Sequence, residues 1–115
     1  MAKDGYAKRF SDSTASMKIQ MQALYLAREN KSIDDEVICY SFLALTQRRL
    51  LHLDKFRNYA DTAYILSHKT TNIKTKAYAA MAMGSLKSYI DDKPQALEYL
   101  LTAYKLFAKS NAHDQ

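Results

Sequence analysis

Apolar residues recur at steps of three and four along most of the chain, and no run of useful length alternates with period two. The first pattern marks one face of an α-helix and the second a half-buried strand, so the chain reads as all-α. Five segments carry the pattern. Residues 14–29 place Ile19, Ala23, Leu26 and Ala27 on one stripe, which is expected to be buried. Residues 33–51 hold Val37, Ile38, Tyr40, Phe42, Leu43, Leu45, Leu50 and Leu51 on more than one face, which predicts a helix sandwiched between neighbours. A third helix is predicted over residues 55–69. Residues 73–90 mix Ala77, Ala79, Ala80, Ala82 and Gly84 with Met81, Met83, Leu86 and Ile90. Small residues let a neighbouring helix come close, which supplies a packing reason for a mid-helix glycine that costs about 1 kcal/mol relative to alanine. Residues 94–109 form the last helix.

The breaks between segments have their own chemistry. Ser11, Asp12, Ser13 and Thr14 offer caps for the first helix, Ser32 for the second and Asn72 for the fourth, because their side-chain oxygens accept the unpaired amides of a first turn. Asp35, three residues after Ser32, resembles a capping box. Asp91 and Asp92 precede Pro94, which suits a first helical turn because its missing N–H would be unpaired there. These short connections predict antiparallel neighbours. Residues 1–12 read as a flexible N-terminal segment, 13–110 as the helical domain and 111–115 as a polar tail.

One helical phrase is written three times. Copies begin at Met17, Arg57 and Leu97, forty residues apart. Ala23, Ala63 and Ala103 fall in register, as do Leu26, Leu66 and Leu106. The second and third copies also share Tyr59/Tyr99, Thr62/Thr102, Tyr64/Tyr104 and Lys69/Lys109. The junctions Ser32-Ile33 and Asn72-Ile73 repeat at the same distance. A fixed period of this size marks a repeat array. One helix pair cannot bury its apolar face alone, but stacked pairs can.

Composition narrows the function classes. With 115 residues the chain is one domain. Two glycines and one proline leave little room for β-turns. The single cysteine, Cys39, excludes an internal disulfide and a multi-cysteine metal site. It reads as a small buried hydrophobe in a reducing, cytoplasmic setting. No leader peptide is legible at the N-terminus, and no apolar run is long enough to span a membrane. The net charge of +5 permits an acidic partner without demanding one.

The stretch 84–103 is similar to the tetratricopeptide repeat. That motif sets a small residue in its first helix, here Gly84, and a small residue twelve positions later in the second, here Ala96. A large residue follows four on, here Leu100, and an alanine three after that, here Ala103. The aspartate-rich turn at Asp91-Asp92 also resembles the family. The chain departs from it in its period, which is usually about thirty-four, in Lys87 where an aromatic is usual, and in Phe56 where the other repeat has Ala96. The resemblance implies antiparallel helix pairs stacked as an α-solenoid, with the first helix of each pair lining a concave face. In this chain that face would carry Ile38, Phe42, Leu45, Arg48 and Arg49 from one repeat and Tyr78, Met81, Ser85 and Tyr89 from the next. Family members that clamp a C-terminal carboxylate use asparagine where Leu45 and Ser85 stand, so that specialised role is not implied.

Catalysis finds no constellation. His52, His68 and His113 are not paired with one another or with Cys39 at metal-ligand spacing. No glycine-rich phosphate loop or nucleophile elbow occurs. The carboxylates Asp34, Asp35 and Glu36, like Asp91 and Asp92, sit at helix starts, where capping and the helix dipole account for them. Arg48, Arg49, Lys55 and Arg57 read as a solvated rim or as an edge for an anionic segment, and no arginine-rich recognition helix supports nucleic acid. Nine tyrosines and no tryptophan suit half-buried packing and interface contact alike. The expected function is therefore a non-enzymatic adaptor that binds a protein or peptide segment on the concave face, without cofactor or metal. A second reading is a sensory input domain of a larger bacterial transcription regulator or kinase. A third is self-association through the end helices, for which Met17, Ile19, Met21, Leu24, Tyr25 and Leu26 supply apolar surface beyond one stripe.

Overall fold

The computed structural model describes the backbone of residues 13–114 and the side chains of residues 16–111. The N-terminal segment 1–12 lies outside the described residues. Five helices follow one another: α1 (Ser13–Glu29), α2 (Ile33–Arg49), α3 (Leu53–Ser67), α4 (Ile73–Tyr89) and α5 (Lys93–Asp114). No strand occurs among the described residues. Each helix packs on the next, and α2 also packs on α4. α2 therefore touches α1, α3 and α4, which accounts for the burial of Val37, Tyr40 and Leu43, but the expected sandwich is incomplete: Phe42 and Leu51 are exposed and Ile38, Leu45 and Leu50 only half-buried.

Caps mark where α2, α4 and α5 start, while His52 before α3 makes no side-chain cap bond and the side chains of Ser11, Asp12, Ser13 and Thr14 lie outside those described. Ser32 Oγ accepts the Asp35 amide at 3.2 Å, Asn72 Oδ1 accepts the Thr75 amide at 3.1 Å, and Asp92 Oδ1 accepts the Gln95 amide at 3.2 Å. Three helices end alike. Lys31, Leu51 and Asp91 adopt left-handed backbone, with φ of 54°, 61° and 64°. In each case the next amide reaches back five residues, from Ser32 to Ala27, His52 to Gln47 and Asp92 to Lys87, at 2.8–2.9 Å. These bonds satisfy carbonyls that a helix end leaves unpaired. The left-handed turn stops α2 at Arg49, short of the expected Leu51, and lets α3 begin at Leu53 rather than at residue 55. α5 runs on to Asp114, through the stretch expected as a polar tail, and Ser110 on it is buried.

Two apolar clusters form the core. Leu24, Val37, Tyr40, Leu43, Ala63 and Ala79 join α1 to α4. Ala44, Phe56, Ala60, Ala82, Met83 and Leu86 continue the core between α2, α3 and α4, with Tyr59, Tyr64 and Tyr99 at its edge. Cys39 is half-buried against the first cluster rather than buried within it.

The forty-residue register makes burial comparable from copy to copy. Ala63 on α3 and Ala103 on α5 are buried, while Ala23 on α1 is exposed. Leu66 and Leu106 are half-buried, while Leu26 is exposed; Tyr59 and Tyr99 are half-buried, while Ile19 is exposed. The expected stripe of Ile19, Ala23 and Leu26 is thus corrected: only Ala27 of it is buried, and α1 instead turns Ser16, Leu24 and Ala27 inward. The reason lies in neighbours. α3 and α5 each pack on the helix before them, α2 and α4, whereas α1 is the first helix described and packs on the helix after it. The other flank shows the reverse. Leu24, Tyr64 and Tyr104 occupy one register position; Leu24 is 2% exposed, Tyr64 half-buried and Tyr104 73% exposed. α1 and α3 have a following helix over that flank, and α5 has none among the described residues.

Candidate functional site

The α2–α4 contact brings forward one side of each helix. On α2, Ile38, Phe42, Leu45 and Arg49 are separated by four, three and four residues, so they share a face. On α4, Tyr78, Met81, Ser85 and Tyr89 do the same. None of these side chains is buried: Ile38, Leu45, Tyr78, Met81 and Ser85 are half-exposed, and Phe42, Arg48, Arg49 and Tyr89 are exposed. The opposite side of α2, with Val37, Leu43 and Ala44, is fully buried.

Aromatic contacts tie this surface together. The Phe42 and Tyr78 rings lie 5.5 Å apart and inclined at 50°, bridging α2 to α4. Tyr78 meets Phe107 of α5 edge to face at 5.0 Å. Tyr89, at the far end of α4, meets Phe56 of α3 edge to face at 6.2 Å. Edge-to-face pairs at these separations are favourable because the positive ring edge meets the negative face. Leu45, Arg48, Arg49 and Leu51 line a shallow depression of about 370 Å³ at the C-terminal end of α2. The surface is therefore apolar and aromatic along its length and cationic at one end. Phe107 belongs to it and was not singled out from sequence, because it lies on α5, outside the two helices expected to line the face, and only the tertiary contact of α4 with α5 brings it near Tyr78.

A second concavity of about 400 Å³ opens between α3 and α5. Tyr64 and Tyr99 meet edge to face at its wall, 5.4 Å apart. His68 Nδ1 lies 2.8 Å from the Tyr64 carbonyl oxygen, and Lys76 Nζ donates to the Ser67 carbonyl oxygen at 2.8 Å. Lys76 thus caps the C-terminal end of α3, where a cation suits the helix dipole. Burial, and then the neighbouring Tyr64, hold the Tyr99 hydroxyl above its ordinary pKa. Gln95, Glu98 and Thr102 also line this concavity; the α2–α4 face differs from it in carrying exposed aromatic side chains together with Arg48 and Arg49.

The remaining chemistry-bearing residues fall into structural places. Asp34, Asp35 and Glu36 stand in the first turn of α2; Asp34 Oδ1 accepts from Thr70 Oγ1 at 2.6 Å, and Glu36 pairs with Arg28 at 3.7 Å. Arg28 also donates to the Tyr40 hydroxyl and lies over its ring. His52 Nδ1 shares a hydrogen bond of 2.9 Å with Gln47 Oε1, and Gln47 is buried. Among the described residues no group of three His, Cys, Asp or Glu side chains is placed to hold a metal ion, and no helix is long and apolar enough to cross a membrane. Comparison of the chain with protein-family models, with curated proteins and with solved structures gave no match.

Proposed function

We propose that the chain is a non-enzymatic helical-repeat module, of the tetratricopeptide type in architecture, that binds a protein or peptide segment along the α2–α4 face. The observation that carries this reading is the surface itself. Ile38 and Tyr78, Leu45 and Ser85, and Arg49 and Tyr89 are forty residues apart, and all six lie on the uncovered side of two helices that pack together. A repeat that presents equivalent positions side by side makes an extended groove, which is how stacked helix pairs are used for binding. Aromatic side chains at such a face give contact area at low entropic cost, and tyrosine and arginine are among the residues enriched at interface centres. Arg48 and Arg49 at one end favour a segment with a carboxylate or an acidic stretch at the corresponding end.

The test uses capture of binding proteins by the wild-type chain and by Arg48→Glu/Arg49→Glu, after circular dichroism shows equal helicity. Proteins held by the wild type and lost by the double variant support the reading. A Phe42→Ser/Tyr78→Ser variant is the second arm, since it removes the aromatic bridge and leaves the charge. Capture unchanged in both variants removes binding from this face.

A further inference from the structure

The outer flank of α5 carries an apolar seam that its own register copy lacks. Leu97, Leu101, Tyr104 and Ala108 follow one another at four, three and four residues, the spacing of a two-stranded helical seam. Leu97 is 60% exposed, Leu101 48% and Tyr104 73%. Forty residues earlier, α3 carries Arg57 and Asp61 where α5 carries Leu97 and Leu101. α3 keeps this charged pair although a following helix lies over part of that flank, whereas α5 exposes two leucines there with no described helix over them, so the leucines are not a requirement of packing within the chain.

We infer that this seam is a self-association surface, on which α5 of a second copy of the chain packs antiparallel about a two-fold axis. The flanking charges select this occupant. If Leu101 meets Tyr104 of the second copy, Leu97 falls against Ala108 of that copy. The same register sets Glu98 opposite Lys105 of the second copy, and the symmetry makes that pair twice. Both Glu98 and Lys105 are exposed beside the seam. A self-complementary patch is what a two-fold interface requires. The surface is confined to one flank of one helix, so the dimer is weak and forms in the micromolar to millimolar range. It is separate from the α2–α4 face and does not depend on what that face binds.

Sedimentation of the whole chain across micromolar to millimolar concentration tests this. The expected result is a reversible monomer–dimer equilibrium that Leu97→Glu/Leu101→Glu weakens by at least about tenfold, because a carboxylate is forced into the seam. Glu98→Lys and Lys105→Glu singly weaken it about fivefold, by placing like charges opposite each other twice, and the combined reversal restores it. Ile19→Glu/Leu26→Glu on the exposed side of α1 leaves it unchanged. A monomer at every concentration overturns the inference. So does a dimer lost through the α1 variant but not the α5 variant, or one in which the combined charge reversal recovers nothing.

Discussion

Gly84 lies directly beneath Leu100: a Cβ built on Gly84 would stand 2.6 Å from Leu100 Cδ2, 2.7 Å from its Cγ and 3.3 Å from its backbone nitrogen. The glycine therefore sets how closely α4 and α5 approach. Alanine at position 84 would gain about 1 kcal/mol of helix propensity and lose a comparable or larger amount to overpacking, typically about 1–3 kcal/mol. Leu100 is partly exposed, so its side chain can give way, but its backbone cannot. Gly84→Ala is expected to be neutral to destabilising by about 2 kcal/mol. In a Leu100→Ala background the two side-chain clashes are gone and only the 3.3 Å backbone contact is left, so the same change should cost less there than in the parent chain. Urea unfolding of the four chains measures the coupling, and additive effects would show that the contact does not constrain the pair.

Left-handed residues at helix ends give a prediction of opposite sign. Leu51 holds φ at 61° with most of its side chain in water. Left-handed backbone costs a residue with a Cβ about 1–2 kcal/mol, part of which glycine returns as unfolded-state entropy. Leu51→Gly should therefore stabilise the fold by about 1 kcal/mol, although it replaces an apolar residue with none. Asp91→Gly, forty residues on in the same turn, should do likewise. An unchanged or lowered urea midpoint for both would mean that the turns carry no strain to relieve.

Phe56 separates what a family pattern suggests from what packing requires. The second repeat has Ala96 at this register position, so a consensus argument favours Phe56→Ala. In the structure Phe56 is fully buried among Ala44, Ala60 and Ala82, small residues that leave room for its ring. Removing the ring would open a cavity that those alanines cannot fill, at a cost of about 3–5 kcal/mol. For a domain of ordinary stability this is a large share of the total. Thermal and urea unfolding should both show it, and a loss below about 1 kcal/mol would mean that the helices close over the gap.

The all-helical class, the five helices and the caps of α2, α4 and α5 were legible because they rest on local chemistry: periodicity, Ser32 and Asn72 as acceptors, and Asp92 before Pro94. Helix ends were less so. Nothing in the side chains of Leu50 and Leu51 marks a left-handed turn, and an apolar pair reads as a continuing helix. The expected burial of Ile19, Ala23 and Leu26 failed for a non-local reason. Their copies on α3 and α5 are covered by the helix before them, and periodicity reports which side of a helix is apolar without reporting whether a neighbour is there. The α2–α4 face lies between these cases. The spacing within each helix placed its residues on one side, whereas Phe107 entered only through tertiary packing.

Cys39 supplies a prediction in pH. Burial first, and then the carboxylates of Asp35 and Glu36, push its thiol pKa above the ordinary value. The folded chain therefore keeps the thiol proton to higher pH than the unfolded chain does. The associated stability is fully present below the unfolded-state pKa and is lost as pH rises through the raised folded-state value. The nucleophile is the thiolate, so at mildly alkaline pH the folded protein should alkylate more slowly than the same protein in urea. The gap should narrow once pH passes the folded-state value. Asp35→Asn should speed the native reaction only modestly, because burial is the larger cause and stays in place. Iodoacetamide labelling followed by mass measurement across a pH series reads both effects. Equal native and unfolded rates throughout would mean that the α2 surroundings of Cys39 do not disfavour its charged form.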